Sequence, residues 1–162
     1  MRARQRAFTY IGVLILVAIM GTLLAIAGRA WRTEAMRERE AELLFVGDQY
    51  REAIRRYADS TPAGTPRYPH ELSDLLKDPR RPVIARYLRK LYHDPITGSR
   101  DWGIVKAADG GIAGVYSLSE DRPFKTSNFR SEDATFEGSK EYSQWQFVFL
   151  PSSSPSVSQH AR

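Results

Sequence analysis

The sequence predicts an α+β fold in which one long N-terminal helix, apolar enough at its start to cross a membrane, packs further on against a small antiparallel β-sheet. Three features carry that expectation. Residues 7–28, AFTYIGVLILVAIMGTLLAIAG, contain no charge. Leu43, Val46, Tyr50, Ala53 or Ile54, and Tyr57 then recur at steps of three and four, the spacing of one helical face. Beyond a proline-rich break, short apolar runs flank Asp109-Gly110-Gly111, a hairpin signal.

The uncharged run sets the length of the first element. At 1.5 Å per residue it reaches roughly 30 Å as a helix, the thickness of a bilayer core. A buried helix of a globular domain is seldom so long and apolar on every side. Arg2, Arg4 and Arg6 precede it with no acid among them, which favours keeping that end in the cytoplasm. Ala25-Ile26-Ala27 before Gly28 also fits a secretory signal with a small-residue cleavage site, and would yield a soluble periplasmic protein. Against that alternative, such signals have apolar cores of about 7–15 residues, and here the helical pattern continues past the site.

Helical character is expected through Trp31 to about Tyr57, so that an unbroken helix from Phe8 to about Ser60 would be roughly 80 Å long. Glu52 and Arg56 form an i,i+4 pair of favourable order, and residues 37–42 read as a solvated face of mixed charge. Thr61-Pro62-Ala63-Gly64-Thr65-Pro66 stops the helix, because proline lacks the N–H that the ladder needs. Residues 69–76 read as a short helix with Leu72, Leu75 and Leu76 inward, and residues 85–91 as a second. His93-Asp94-Pro95-Ile96-Thr97-Gly98 is a turn by composition. Residues 102–107 and 112–117 form the hairpin strands, and residues 144–149 a third strand with Trp145, Phe147 and Phe149 on one face. Residues 119–143 are expected as a long polar loop, and the serine-rich tail 151–162 as disordered.

Composition narrows the chemistry. The net charge is +5, but three of the cations precede the apolar run; about +2 remains, too little for a phosphate-binding field, so no nucleic-acid partner is expected. With no cysteine there is neither a disulfide framework nor a thiolate metal site. His70, His93 and His160 are scattered through turns and the tail, and read as surface or capping residues rather than metal ligands or catalytic bases. No serine sits in a nucleophile elbow and no glycine loop is built to cradle phosphate, so the reading is not an enzyme and no catalytic residue is assigned.

Arg6-Ala7-Phe8-Thr9-Tyr10-Ile11, at the polar-to-apolar boundary, resembles the prepilin signal of the type IV pilin superfamily. That resemblance implies cleavage between Ala7 and Phe8 by a prepilin peptidase, with Phe8 left as an N-methylated first residue. Ala7 stands where the family mostly has glycine. Gly12 stands at the fifth mature position, usually glutamate, whose carboxylate can pair with a neighbouring subunit's amino terminus inside the membrane. Gly12 has no such group, a departure that bears on N-methylation and filament incorporation and resembles certain minor pseudopilins.

Further along, Tyr68-Pro69, Tyr87-Leu88-Arg89-Lys90-Leu91, Asp94-Pro95 and Tyr116-Ser117-Leu118-Ser119 follow in an order similar to that of the major pseudopilin of type II secretion. The resemblance covers about residues 4–149 and implies a pilin-like domain plan. Its parts are a leader at 1–7, a transmembrane helix at 8–28, the periplasmic half of the same helix at 29–60, an α+β domain at 61–150 and the tail. It implies a single-pass bacterial inner-membrane protein with a periplasmic domain, assembling with other pseudopilin subunits and with itself upon the secretion system's inner-membrane platform. A type IV pilus or DNA-uptake minor pilin shares the whole architecture, and a signal-anchored or secreted periplasmic binding module is a further alternative. In the family the loop after the serine-leucine pair binds calcium, which makes Glu120, Asp121, Glu132 and Asp133 calcium candidates here. Arg122-Pro123-Phe124-Lys125 replaces the family's glycine-rich loop, and a solvated acidic loop is the preferred reading.

Overall fold

The first proline of the chain is Pro62, so nothing upstream removes a ladder hydrogen bond, and helix α1 runs unbroken over Ala3–Asp59 in the computed structural model. Residues 3–62 and 64–150 are described; the predicted tail at 151–162 lies outside them, as do the side chains at 3–9, 25–30 and 32. The chain divides into two compact units, Met1–Arg39 and Glu40–Arg162. The class is α+β, with a small three-stranded antiparallel sheet.

Within the second unit the predicted stripe is the core face of α1: Leu43, Val46, Tyr50, Ala53, Ile54 and Tyr57 are all buried. The sheet supplies the opposing surface in the order β1 (Gly103–Lys106), β2 (Ile112–Tyr116), β3 (Phe147–Val148). Ile104 faces Val115 across the first pair and Gly114 faces Val148 across the second, with a bulge between Val105 and Lys106. Asp109-Gly110-Gly111 makes the hairpin turn: Gly110 has φ +84°, a conformation that costs glycine nothing, and the Asp109 carboxylate accepts from the Gly111 N–H at 3.1 Å. Where α1 meets β3, Gly47 is required by contact, since a β-carbon there would land in the Phe147 ring.

Four local expectations are corrected. Residues 85–91 form no helix; the Tyr87 and Leu88 N–H groups both donate to the Leu75 carbonyl, and Asp78 N–H donates to Ala85 O. Tertiary bonding thus replaces the i→i−4 ladder, although the segment before it does contain a short 3-10 helix, Leu72–Leu75, with Leu75 fully buried. Residues 119–143 are not an open polar loop. They contain a 3-10 helix, Ser131–Phe136, and bury Phe136 and Tyr142, with Phe136 stacked on Trp145 at 5.4 Å and edge-on to Phe147 at 5.1 Å. The third strand shrinks to two residues because the 3-10 helix Tyr142–Gln144 precedes it. Within residues 37–42, Glu40 is buried while its charged neighbours are exposed.

The end of α1 is held by residues remote in sequence. Tyr57 and Ser60 carbonyls have no helical N–H left to accept, and the guanidinium groups of Arg80 and Arg81 donate to them at 3.0 and 2.8 Å. Arg80 also lies 3.5 Å from the Tyr57 ring centroid and donates two bonds of 2.9 Å to the fully buried Asp78 carboxylate, through Nε and Nη2. The Arg80 backbone N–H and the Tyr87 hydroxyl add two more donors, at 2.9 and 3.0 Å.

These donors, Arg80 first among them, hold the Asp78 carboxyl at about 2, against an ordinary 3.8. A depressed carboxylate stabilises the fold above its unfolded pKa and loses that contribution as pH falls through the folded one. Stability is therefore expected to drop by about 2 kcal/mol between pH 4 and pH 2 from this group alone. Urea titrations across that window check it, with Asp78→Asn, which cannot titrate, showing a flatter profile.

Candidate assembly surface

The first unit presents its chemistry on one helix. From Tyr10 to Leu24 each large apolar side chain is more than half exposed: Tyr10, Ile11, Val13, Leu14, Ile15, Leu16, Val17, Ile19, Met20, Leu23 and Leu24. Successive residues turn by about 100°, so this set faces every direction around the axis and leaves no polar side. Thr22, one of the few polar groups in it, is satisfied within the helix by donating to the Ala18 carbonyl at 2.8 Å. Among the described residues no helix is long and apolar enough to cross a membrane. The stretch with described side chains is fifteen residues, which rises about 22 Å, short of a bilayer core of about 30 Å.

Ala7 and Phe8, the predicted cleavage pair, fall within α1, and their side chains are outside the described residues. Gly12 is on the exposed helix, and a β-carbon added there meets nothing within 4 Å. A larger residue is accommodated at this position, so its size is not dictated by packing within the chain.

The four calcium candidates are not gathered into a metal-holding group; among the described residues there is no cluster of three or more histidine, cysteine or acidic side chains able to hold an ion. Asp133 is buried and accepts from Arg51 Nη2 at 2.6 Å, while exposed Glu132 stands 3.7 Å from Arg51 Nη1. One guanidinium thus answers this pair, which corrects the reading of the whole segment as a solvated acidic loop. Glu120 and Asp121 are exposed, and the Asp121 carboxylate accepts from Ser119 Oγ at 3.2 Å. His70 and His93 are exposed, with His93 accepting from Arg100 Nε at 2.9 Å; His160 lies outside the described residues.

Beside Asp78, two further buried carboxylates matter that the sequence pattern does not single out. Glu40, the first residue of the second unit, accepts from the backbone N–H of Phe124 at 2.8 Å and of Lys125 at 2.9 Å, and from the Tyr142 hydroxyl at 2.9 Å. This ties residues 124–125 and the 3-10 helix at Tyr142 to α1. Burial, and then the Glu40 carboxylate itself, push the Tyr142 phenol up, so it stays a donor. Glu40 stands three positions before Leu43, which extends the apolar stripe by one step and was the available signal.

Glu40→Ala leaves two N–H groups and a phenol without their acceptor, and is expected to cost about 2–3 kcal/mol in a chemical melt. Restoration of stability by Phe124 and Lys125 finding water would instead leave the melt unchanged. Asp94, the second overlooked carboxylate, is buried and accepts from Ile96 N–H, Thr97 Oγ1 and Ser117 Oγ at 2.7–3.0 Å, pinning the predicted turn to the end of β2.

No protein-family model, curated protein or solved structure matches the chain.

Proposed function

We propose that this chain is a pseudopilin-like structural subunit of a type II secretion system or a related type IV filament. In this reading the apolar part of α1 is retained in the inner membrane after cleavage between Ala7 and Phe8. The α+β domain stands in the periplasm, and subunits assemble by packing their helices together to support export across the outer membrane. The single observation that carries the reading is a helix apolar on all sides from Tyr10 to Leu24 whose continuation, after Glu40, buries one face in an α+β core.

Such a helix is costly in water at roughly 25 cal/mol per Å² of apolar surface. Lipid removes that cost, and neighbouring helices do so equally well. Gly12 fits a subunit that makes no intramembrane carboxylate-to-amine pair, and its missing side chain permits a close helix approach.

The absence of cysteine makes the assembly step directly testable. A single Leu16→Cys in the full chain, oxidised in membranes of cells carrying the whole secretion or filament system, is expected to give disulfide-linked species above the monomer mass, formed with itself or with a partner subunit bearing a cysteine at the matching height. Monomer alone under every pairing contradicts assembly through this helix.

A further inference from the structure

The strongest charge asymmetry in the second unit lies in residues 77–90. Residues 40–150 carry sixteen lysines and arginines against seventeen acids, yet residues 77–90 alone hold six of those cations and a single acid, Asp78. Asp78 is already answered by Arg80, so the basic excess of this segment is not neutralised locally. Arg86 and Arg89 are exposed and make no ion pair among the described residues. With Arg56, they line a groove of about 460 Å³ whose remaining walls are Phe45, Gln49, Tyr87, Leu88 and Tyr92.

We propose that this groove is a docking site for an acidic segment of a partner polypeptide, one that presents carboxylates to Arg86 and Arg89 and an apolar side chain to Phe45 and Tyr92. Arginine offers a planar fork that meets a carboxylate through two parallel hydrogen bonds, and aromatic residues and arginine are the types that anchor protein interfaces. Phe45 is 59% exposed on the helical side of the groove, while Val83 and Ile84, in the same basic segment, are 77% and 72% exposed. The backbone behind the arginines is fixed beforehand: Tyr87 and Leu88 N–H bond to Leu75 O, and the Tyr87 hydroxyl bonds both Ser60 Oγ and Asp78. A rigid display of this kind lowers the ordering cost of binding.

A long polyanion suits the surface less well, because outside the segment acids outnumber the cations and few phosphates would be neutralised. The chemistry is that of a short acidic and apolar stretch of protein.

The test uses the detergent-solubilised full chain and a short fluorescent peptide of alternating glutamate and leucine. Binding that weakens as salt rises to about 0.5 M, falls at least tenfold in Arg86→Ala/Arg89→Ala, and persists in the charge-matched control Lys106→Ala/Lys140→Ala supports the site. Partial retention in Arg86→Lys/Arg89→Lys, which keeps charge without the fork, is expected as well and covers any folding defect in the alanine variant. Absence of salt-sensitive peptide binding overturns the proposal. So does equal binding of a thymidine oligonucleotide or of phosphatidylglycerol vesicles, which marks a general polyanion surface. Loss of self-association in the double variant without any peptide binding also overturns it, and assigns the groove to a second copy.

Discussion

Under the proposed retention of α1 in the membrane, Leu14→Asp/Val17→Asp is expected to move the protein from the membrane fraction to the soluble or degraded fraction. Both positions are more than half exposed on α1, and neither contributes to the core of the second unit. Each aspartate near the centre of a spanning helix costs about 3 kcal/mol, so the pair removes about 6 kcal/mol from insertion. Folding of residues 40–150 depends on other contacts and is left intact. Alkaline extraction of membranes, read beside a protease-resistance assay of the domain, separates the two effects. A doubly substituted chain that remains alkali-resistant in the membrane would mean that this stretch is not in lipid.

Arg80→Ala is expected to be strongly destabilising, at about 3 kcal/mol, because it leaves the buried Asp78 carboxylate with Arg81 Nε, 3.9 Å away and beyond hydrogen-bond range, as its remaining cation. Against a usual stability of about 5–15 kcal/mol that is a large share. Asp78 would keep only Tyr87 and a backbone N–H as donors, and the Tyr57 carbonyl and Thr61 hydroxyl would each lose a guanidinium donor. Arg80→Lys rescues little, since an ammonium cannot reproduce the two-pronged bond to Asp78 while also reaching Tyr57 O and Pro66 O. Asp78→Asn/Arg80→Met, which removes both charges, is expected to be more stable than Arg80→Ala. Urea denaturation of the four proteins measures this.

Periodicity made α1's buried face and the hairpin legible. Leu43 through Tyr57 follow a helical period that only one packing direction satisfies, and a turn containing Gly110 with flanking apolar runs has few alternatives. What escaped was tertiary. Tyr87-Leu88-Arg89-Lys90-Leu91 has good helix formers, yet the Tyr87 and Leu88 N–H groups go to Leu75 O, a pairing that no local pattern announces. Residues 119–143 look polar because the aromatic residues Phe129, Phe136 and Tyr142 are spaced without a period; the 3-10 helix Ser131–Phe136 nonetheless directs Phe136 into the Trp145 cluster.

The overlooked carboxylates share one cause. Glu40, Asp78 and Asp94 each look like ordinary surface acids in sequence, and each is buried because donors arrive from residues 2 to 102 positions away. Asp133, a calcium candidate by its oxygen chemistry, shows the same gap from the other side: Arg51, 82 positions earlier, reaches it. In each case charge was readable and its partner was not.

The most direct measurement is the intact mass of the membrane-extracted protein from cells with and without a prepilin peptidase. The expected product with the peptidase begins at Phe8, unmethylated or carrying one methyl group, and without the peptidase the leader of residues 1–7 remains. A mature chain that begins at Gly28 and is recovered free in the periplasm would contradict retention of the apolar helix, and with it the filament role.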